Sequence, residues 1–268
     1  MRGEGEGLVN ALLATAAVVP VLATHSLAAE QVTQLVLGEG AEVVDHHGAM
    51  LRIRTILDDY AGWVHEGYVR RLHLGDVEAW LSTAAWSEGA LLRDSTGMAI
   101  RAPHRARLLL EGSSRTRLPD GDVAEILGGS VRPYGDVILG SLAQAPSTWA
   151  WREFAGAPYL WGGVTASGID CSGLVQTTFL ARGVPLPRDA RQQVDMGQRI
   201  ELEDRRPDDL LFFRGADSDG ITHVAIQAGD DGIVHSTVAT GRVTREPCTE
   251  GSRAAPLLER LVAVRRLT

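Results

Sequence analysis

Between residues 17 and about 75 the apolar positions come in short runs, VVPVL, QVTQLVLGE, AEVVD, MLRIRTI and GWVHEGYV, separated by Gly, Asp and His. Leu51, Ile53 and Thr55 alternate with Arg52, Arg54 and Ile56, close to the period of two of a half-buried strand. Short strands at this spacing predict a small β-barrel. Residues 80 to about 140 partly repeat the grammar. Ala106 to Glu111 reads as a strand, LPDGDVAEIL holds a Pro-Asp-Gly turn followed by another strand, and Gly128-Gly129 closes the segment. The echo predicts two tandem β-modules, 17–76 and 77–140, behind a flexible stretch over residues 1–16.

The pattern then changes. Ser147-Thr148-Trp149 predicts the start of a helix running through Trp151 and Phe154 and stopping at Gly156 and Pro158. From Tyr159 the reading is α+β. Asp170 to Arg182 predicts a helix with Leu174, Val175, Thr178 and Phe179 on one face and Gly183 at its end. A second short helix is expected over Arg188 to Met196. Three strands follow, LLFF from Leu210, HVAIQ from His223 and GIVH from Gly232, the last two joined by a turn over Gly229 to Gly232. Residues 141–268 therefore read as one α+β domain.

Composition narrows the function. Hydrophobic residues make up 44% and charged residues 22% of the 268, a globular balance. The formal net charge of −8 argues against a nucleic-acid partner, which needs a basic surface. No apolar run approaches the ~18 residues of a spanning helix. Leu8 to Ala29 leaves two readings. It resembles an export signal ending near Ala28-Ala29, but Arg2 is outweighed by Glu4 and Glu6, and Pro20, His25 and Ser26 interrupt the run. The alternative, a first strand at Val18 to Leu22, is preferred, and with it a cytoplasmic protein rather than an exported one.

The chemistry centres on Cys171. It follows Asp170 at the start of the expected helix, where the helix dipole favours a thiolate and lowers the thiol pKa. Gly162, Gly163 and Gly168 precede it and free the backbone to present a side chain there. His223 and His235 fall on neighbouring antiparallel strands. His223 is then placed to take the thiol proton, and His235 to hydrogen-bond the other ring nitrogen of His223 and fix its tautomer. Taken singly, each of these residues is more often structural; together they favour a catalytic triad. One Cys and two His are also a partial zinc set, but one ligand short and without paired spacing, so no metal and no cofactor is expected. Cys248 follows Pro247 in a polar stretch and reads as incidental; a Cys171–Cys248 bridge would consume the nucleophile.

The motifs YLWGG from Tyr159, GIDCSGLVQ from Gly168, LPRDA from Leu186, DLLFF from Asp209, ITHVAI from Ile221 and IVHS from Ile233 resemble the NlpC-type cysteine peptidases of bacterial cell-wall turnover. The resemblance covers about residues 145 to 268 and implies a papain-like domain, a helix carrying the cysteine packed on an antiparallel sheet. It implies Cys171 as nucleophile, His223 as base, His235 as orienting residue and Tyr159 as the tyrosine that polarises the carbonyl. Asp170 and Ser172 then match groove positions, Arg188 and Asp189 a structural and groove motif, and Trp161 falls in the same groove set. Two departures are Asp208, where the family usually has Gly, and Ala190, where it often has Ser.

The first half resembles the bacterial SH3-like modules attached to cytoplasmic relatives, through Asp58-Asp59-Tyr60-Ala61-Gly62-Trp63-Val64 and Leu37-Gly38-Glu39. In such relatives the first module narrows the groove and binds the free N-terminus of a murein peptide. Asp58 or Asp59 is then the candidate for holding that ammonium group. The expected architecture is thus α+β: one or two SH3-like β-barrels ahead of a papain-like domain. The expected partner is a murein peptide with a free N-terminal L-Ala, cut between γ-D-glutamate and diaminopimelate or lysine. The rival readings are an amidase or acyltransferase on the same fold, and a murein-binding protein without activity.

Overall fold

The computed structural model describes residues 9–216 and 218–267, and the chain divides into two compact units after Asp136. In the first unit the sequence runs build two seven-stranded antiparallel sheets. The first joins Gln31–Val36, Val18–Leu22, Ala61–His65, Met50–Thr55, Gly40–His47, Ala11–Ala14 and Val69–Leu72, in that spatial order. The second is made of the strands between Ala85 and Arg132. Numbered in chain order within each sheet, both run three, two, six, five, four, one, seven. The weak sequence echo is therefore a repeated topology.

The alternation in Met50–Thr55 is real: Leu51, Ile53 and Thr55 are buried and Arg52 and Arg54 exposed. Leu51 and Ile53 meet Leu12, Val19, Val21, Leu35 and Val64 in one apolar core. Pro20 lies inside Val18–Leu22 at no cost to the ladder, because pairing with the next strand begins beyond it, at Leu22 with Trp63. The two halves of this unit meet at Gly38 (φ +78°), where a Cβ would lie 1.9 Å from the Arg107 carbonyl oxygen. A buried Arg105–Glu39 ion pair at 2.6 Å closes the same junction.

Two expectations are corrected here, and one helix is added. The stretch expected to be flexible over 1–16 contributes the fully buried strand Ala11–Ala14, so the first module begins before residue 17; residues 1–8 lie outside the described residues. GWVHEGYV is two strands, Ala61–His65 and Val69–Leu72, broken by a 3-10 turn at Glu66–Tyr68 that the His65 ring caps. Leu74–Thr83 is an α-helix, whose Val77 packs with Leu74, Trp80 and Leu81 at helical spacing.

The second unit stacks helices on a six-stranded sheet. Its strands run Gln198–Ile200, Leu261–Arg266, Leu210–Arg214, Ile221–Ala228, Gly232–Thr237 and Arg242–Pro247 in spatial order. The helix Cys171–Leu180 packs on Ile221–Ala228. All ten of its residues are buried, so it is a central helix and not the amphipathic one the pattern suggested. Its polar side chains are satisfied internally, Gln176 donating to the Leu186 carbonyl at 3.0 Å and Thr178 to the Leu174 carbonyl at 2.7 Å. The expected second helix is the shorter Ala190–Gln193.

The helix expected from Ser147 starts at Pro146 instead, after Ala145, whose side chain cannot cap it. The cap comes from elsewhere: the Ser147 N–H donates to Asp208 Oδ1 at 3.0 Å. Asp208 holds φ at +74°, the left-handed geometry for which Gly is the usual residue. The turn keeps its shape without Gly, and the carboxylate is used as a remote cap. Asp208→Ala is expected to lower stability by about 1–2 kcal/mol, losing the cap and keeping the strained φ. Asp208→Gly exchanges one loss for the other and is expected to stay within about 1 kcal/mol of wild type. Urea unfolding of both variants checks this; equal losses would show that the cap alone matters.

Candidate active site

Cys171 is the first residue of its helix and Asp170 is the cap, its Oδ1 accepting the Gly173 N–H at 2.7 Å. The other carboxylate oxygen accepts the Gly162 N–H at 2.8 Å, tying the glycine loop to the helix start. Gly173 has to be glycine: a Cβ there would lie 2.2 Å from the Gly163 carbonyl oxygen. Arg188 reaches in from the following loop, its two terminal nitrogens 3.0 and 2.6 Å from the two Asp170 oxygens. It also donates to Ser172 Oγ at 2.8 Å. Asp170, Ser172 and Arg188 are 5%, 7% and 2% exposed. Their polar atoms face one another and make a buried frame that fixes Cys171. Gln193 extends the frame by donating to the Ser172 carbonyl at 3.0 Å.

The Cys171 sulfur lies against the strand that carries His223: the backbone N–H groups of Val224 and Ser172 both point at it. The His223 and His235 rings meet, Nε2 to Nδ1, at 2.8 Å. A neighbour that the sequence reading missed completes the line. His235 Nε2 is 2.7 Å from Glu246 Oε1, and the same oxygen is held by Arg253. The register explains it. His235 stands opposite Thr244, which puts Glu246 diagonally across on the same face. Had the Val238–Gly241 turn fixed that register in advance, the alternation would have exposed Glu246 as a partner.

The electrostatics correct one expectation. Burial pushes the Cys171 thiol up to about 12, and the adjacent Asp170 carboxylate acts in the same direction; the Val224 and Ser172 N–H groups only partly oppose it. Burial likewise holds His223 down to about 3, helped by His235. The expected lowered thiol pKa at the helix start is overridden by desolvation. The resting site is a neutral thiol beside a neutral imidazole, so the proton moves as the sulfur attacks.

Tyr159 is brought to the same place. Burial, then the neighbouring Cys171 and Asp170, raise its phenol to about 12, so it stays a hydrogen-bond donor. Its N–H is anchored on the Gly241 carbonyl at 2.8 Å. Trp161 is 58% exposed on the adjoining loop. Asp189 stands before the short helix Ala190–Gln193 and pairs with Arg191 at 2.8 Å. Asp58 and Asp59 act within their own turn: Asp58 accepts the Thr55 hydroxyl, and Asp59 (φ +57°) pairs with Arg54 at 3.2 Å. Cys248 is buried in an apolar cluster with Ile200, Leu211 and Phe213, not in a polar loop, and both cysteines are free thiols. Among the described residues no three His, Cys, Asp or Glu side chains group closely enough to hold a metal ion.

The sequence pattern of the NlpC/P60 family matches residues 156–262, the stretch that holds Tyr159, Cys171, His223 and His235. Residues 156–262 are an NlpC/P60 domain. A γ-D-glutamyl-L-lysine dipeptidyl-peptidase of Bacillus subtilis is 43% identical over 31% of this chain and 28% of its own length. Another of that name, from Bacillus cereus, is 27% identical over 76% of this chain and 66% of its own. The chain thus spans less than two thirds of these relatives. A solved NlpC/P60 family protein from Bacillus cereus shares the fold across 96% of this chain and 99% of its own, with a TM-score of 0.77 at 20% identity. That likeness shows a shared fold.

Proposed function

We propose that this chain is a cysteine peptidase that hydrolyses murein peptides at the bond between γ-D-glutamate and a diamino acid, diaminopimelate or lysine. The observation that carries the reading is the line Cys171, His223, His235, assembled from a helix start and two adjacent strands, with Cys171 and His235 buried and His223 half-buried. The names of the relatives, γ-D-glutamyl-L-lysine dipeptidyl-peptidases, support the choice of bond. In this mechanism His223 takes the thiol proton as the Cys171 sulfur attacks the carbonyl carbon. The oxyanion forms beside the first turn of the helix, whose dipole favours negative charge, with the Tyr159 hydroxyl as a further donor. His223 then protonates the leaving amine, and water activated by the same ring releases the acyl group from sulfur. We read the two sheets of the first unit as SH3-like modules, and the substrate as a peptide with a free N-terminal L-Ala. We also read the site of action as the cytoplasm, since a cut near Ala29 would remove Ala11–Ala14 and Val18–Leu22 from the first sheet.

The test is incubation of wild type and Cys171→Ala with L-Ala-γ-D-Glu-diaminopimelate, followed by mass spectrometry. Wild type is expected to release the dipeptide L-Ala-γ-D-Glu, and the variant to be slower by roughly 10³-fold or more. A wild type that leaves this peptide intact sinks the reading. Loss of ammonia without dipeptide from the same peptide carrying D-isoglutamine in place of D-glutamate would favour an amidase.

A further inference from the structure

We infer that Glu246 is a positioning residue for the reaction: its carboxylate sets the tautomers of both histidines and so makes Nδ1 of His223 the atom that takes the Cys171 proton. This rests on the cysteine-peptidase reading above.

The argument follows the hydrogens. A carboxylate only accepts, so the 2.7 Å contact between Glu246 Oε1 and His235 Nε2 requires the proton on His235 Nε2. A neutral His235 then has its lone pair on Nδ1. That atom is 2.8 Å from His223 Nε2, so His223 must be the donor there. Neutral His223 protonated on Nε2 keeps its lone pair on Nδ1. Each contact fixes the next, and the chain begins at Glu246. When His223 gains a proton during the reaction, the ring carries a positive charge whose Nε2–H still points at His235, and beyond it lies the carboxylate.

Glu246 is well placed for such a task. Its side chain is 11% exposed and its Oε1 also meets the Arg253 guanidinium, which holds the carboxylate while remaining 44% exposed itself. The charged or titratable groups around the pair are Arg253 and Cys248 beside Glu246, and Asp170 beside His223. Reverse the His235 tautomer and the whole line inverts. His235 Nδ1–H would donate to His223 Nε2, and His223 would present an N–H, useless as a base, from Nδ1.

The experiment has two arms. Nitrogen-15 NMR of the histidine rings in the wild-type chain reads the tautomers directly; protons on Nε2 of both His223 and His235 are expected. Kinetics on L-Ala-γ-D-Glu-diaminopimelate compare wild type, Glu246→Ala and Glu246→Gln. Glu246→Ala is expected to lower kcat by roughly 10–100-fold with KM within about twofold, a share of the about 10²–10⁴-fold that a positioned base supplies. Glu246→Gln keeps an oxygen that accepts the same N–H, and is expected to restore most of kcat and the wild-type tautomers. A wild-type His235 protonated on Nδ1 overturns the inference, as does a folded Glu246→Ala with unchanged tautomers and kcat. If wild type does not cut the peptide, the proposed function fails, while the tautomer arm still decides this inference. If Glu246→Ala does not fold, the wild-type spectrum and the Gln variant decide it.

Discussion

Arg188→Ala is expected to be the most damaging single substitution outside the reacting groups, lowering stability by roughly 3–5 kcal/mol and abolishing activity. The guanidinium is 2% exposed and forks onto both Asp170 oxygens at 3.0 and 2.6 Å, with further bonds to Ser172 Oγ at 2.8 Å and the Gly163 carbonyl at 3.3 Å. Removing it strands a buried carboxylate with two backbone N–H partners and no counter-charge. Those N–H groups, of Gly162 and Gly173, define where the cysteine helix begins, so the damage passes straight to Cys171. Arg188→Lys keeps the charge but loses the fork, and is expected to cost roughly 1–3 kcal/mol. Arg188→Met combined with Asp170→Asn should cost less than the two single changes added together, because the pair shares one network. Urea unfolding of the four proteins gives the coupling. Additive losses would mean that Arg188 and Asp170 do not act as a unit.

The second large effect is loss of stability in mild acid. His223 is held down to about 3 by burial and by His235, and His235 to about 4 by burial and by Arg253, against an ordinary 6.5. Above pH 6.5 both rings are neutral whether the chain is folded or not, and the folded state loses nothing. Below it the unfolded chain binds protons that the folded one refuses. Stability therefore falls by about 1.4 kcal/mol per pH unit for each ring until the folded pKa is reached, or about 3 kcal/mol per unit for both. The window runs from about pH 6.5 down to about 4. Unfolding free energies at pH 7, 6, 5 and 4 for wild type and His235→Asn measure it. The variant keeps a hydrogen-bonding group and is expected to show a slope shallower by about 1.4 kcal/mol per unit. Equal slopes would mean that His235 is not buried neutral.

These two effects come from different kinds of information. The placement of Cys171 was legible in a few adjacent residues, since an Asp cap, a glycine-rich approach and a glycine stop at Gly183 are signals read within one helix. The histidine pair was legible too, because the Gly229 to Gly232 turn fixes which strands are neighbours. The repeat in the first unit surfaced only as an echo, since its shared strand order is carried by turns and buried positions more than by residue identity. Leu74–Thr83 was passed over although Leu74, Val77, Trp80 and Leu81 have helical spacing, because the strands on either side made its stretch read as more of the same.

By itself the sequence determined the α+β domain with its cysteine at a helix start, the alternating strands ahead of it, and the two histidines on adjoining strands. Each of these follows from caps, turns and periods that act over a few residues. Only the tertiary structure decided the protonation state of the thiol, the inward-facing frame of Asp170, Ser172 and Arg188, the burial of Cys248 and the arrival of Glu246 behind His235. Those depend on which distant segments exclude water and bring charge to the same point, and desolvation at that point outweighed the local helix dipole.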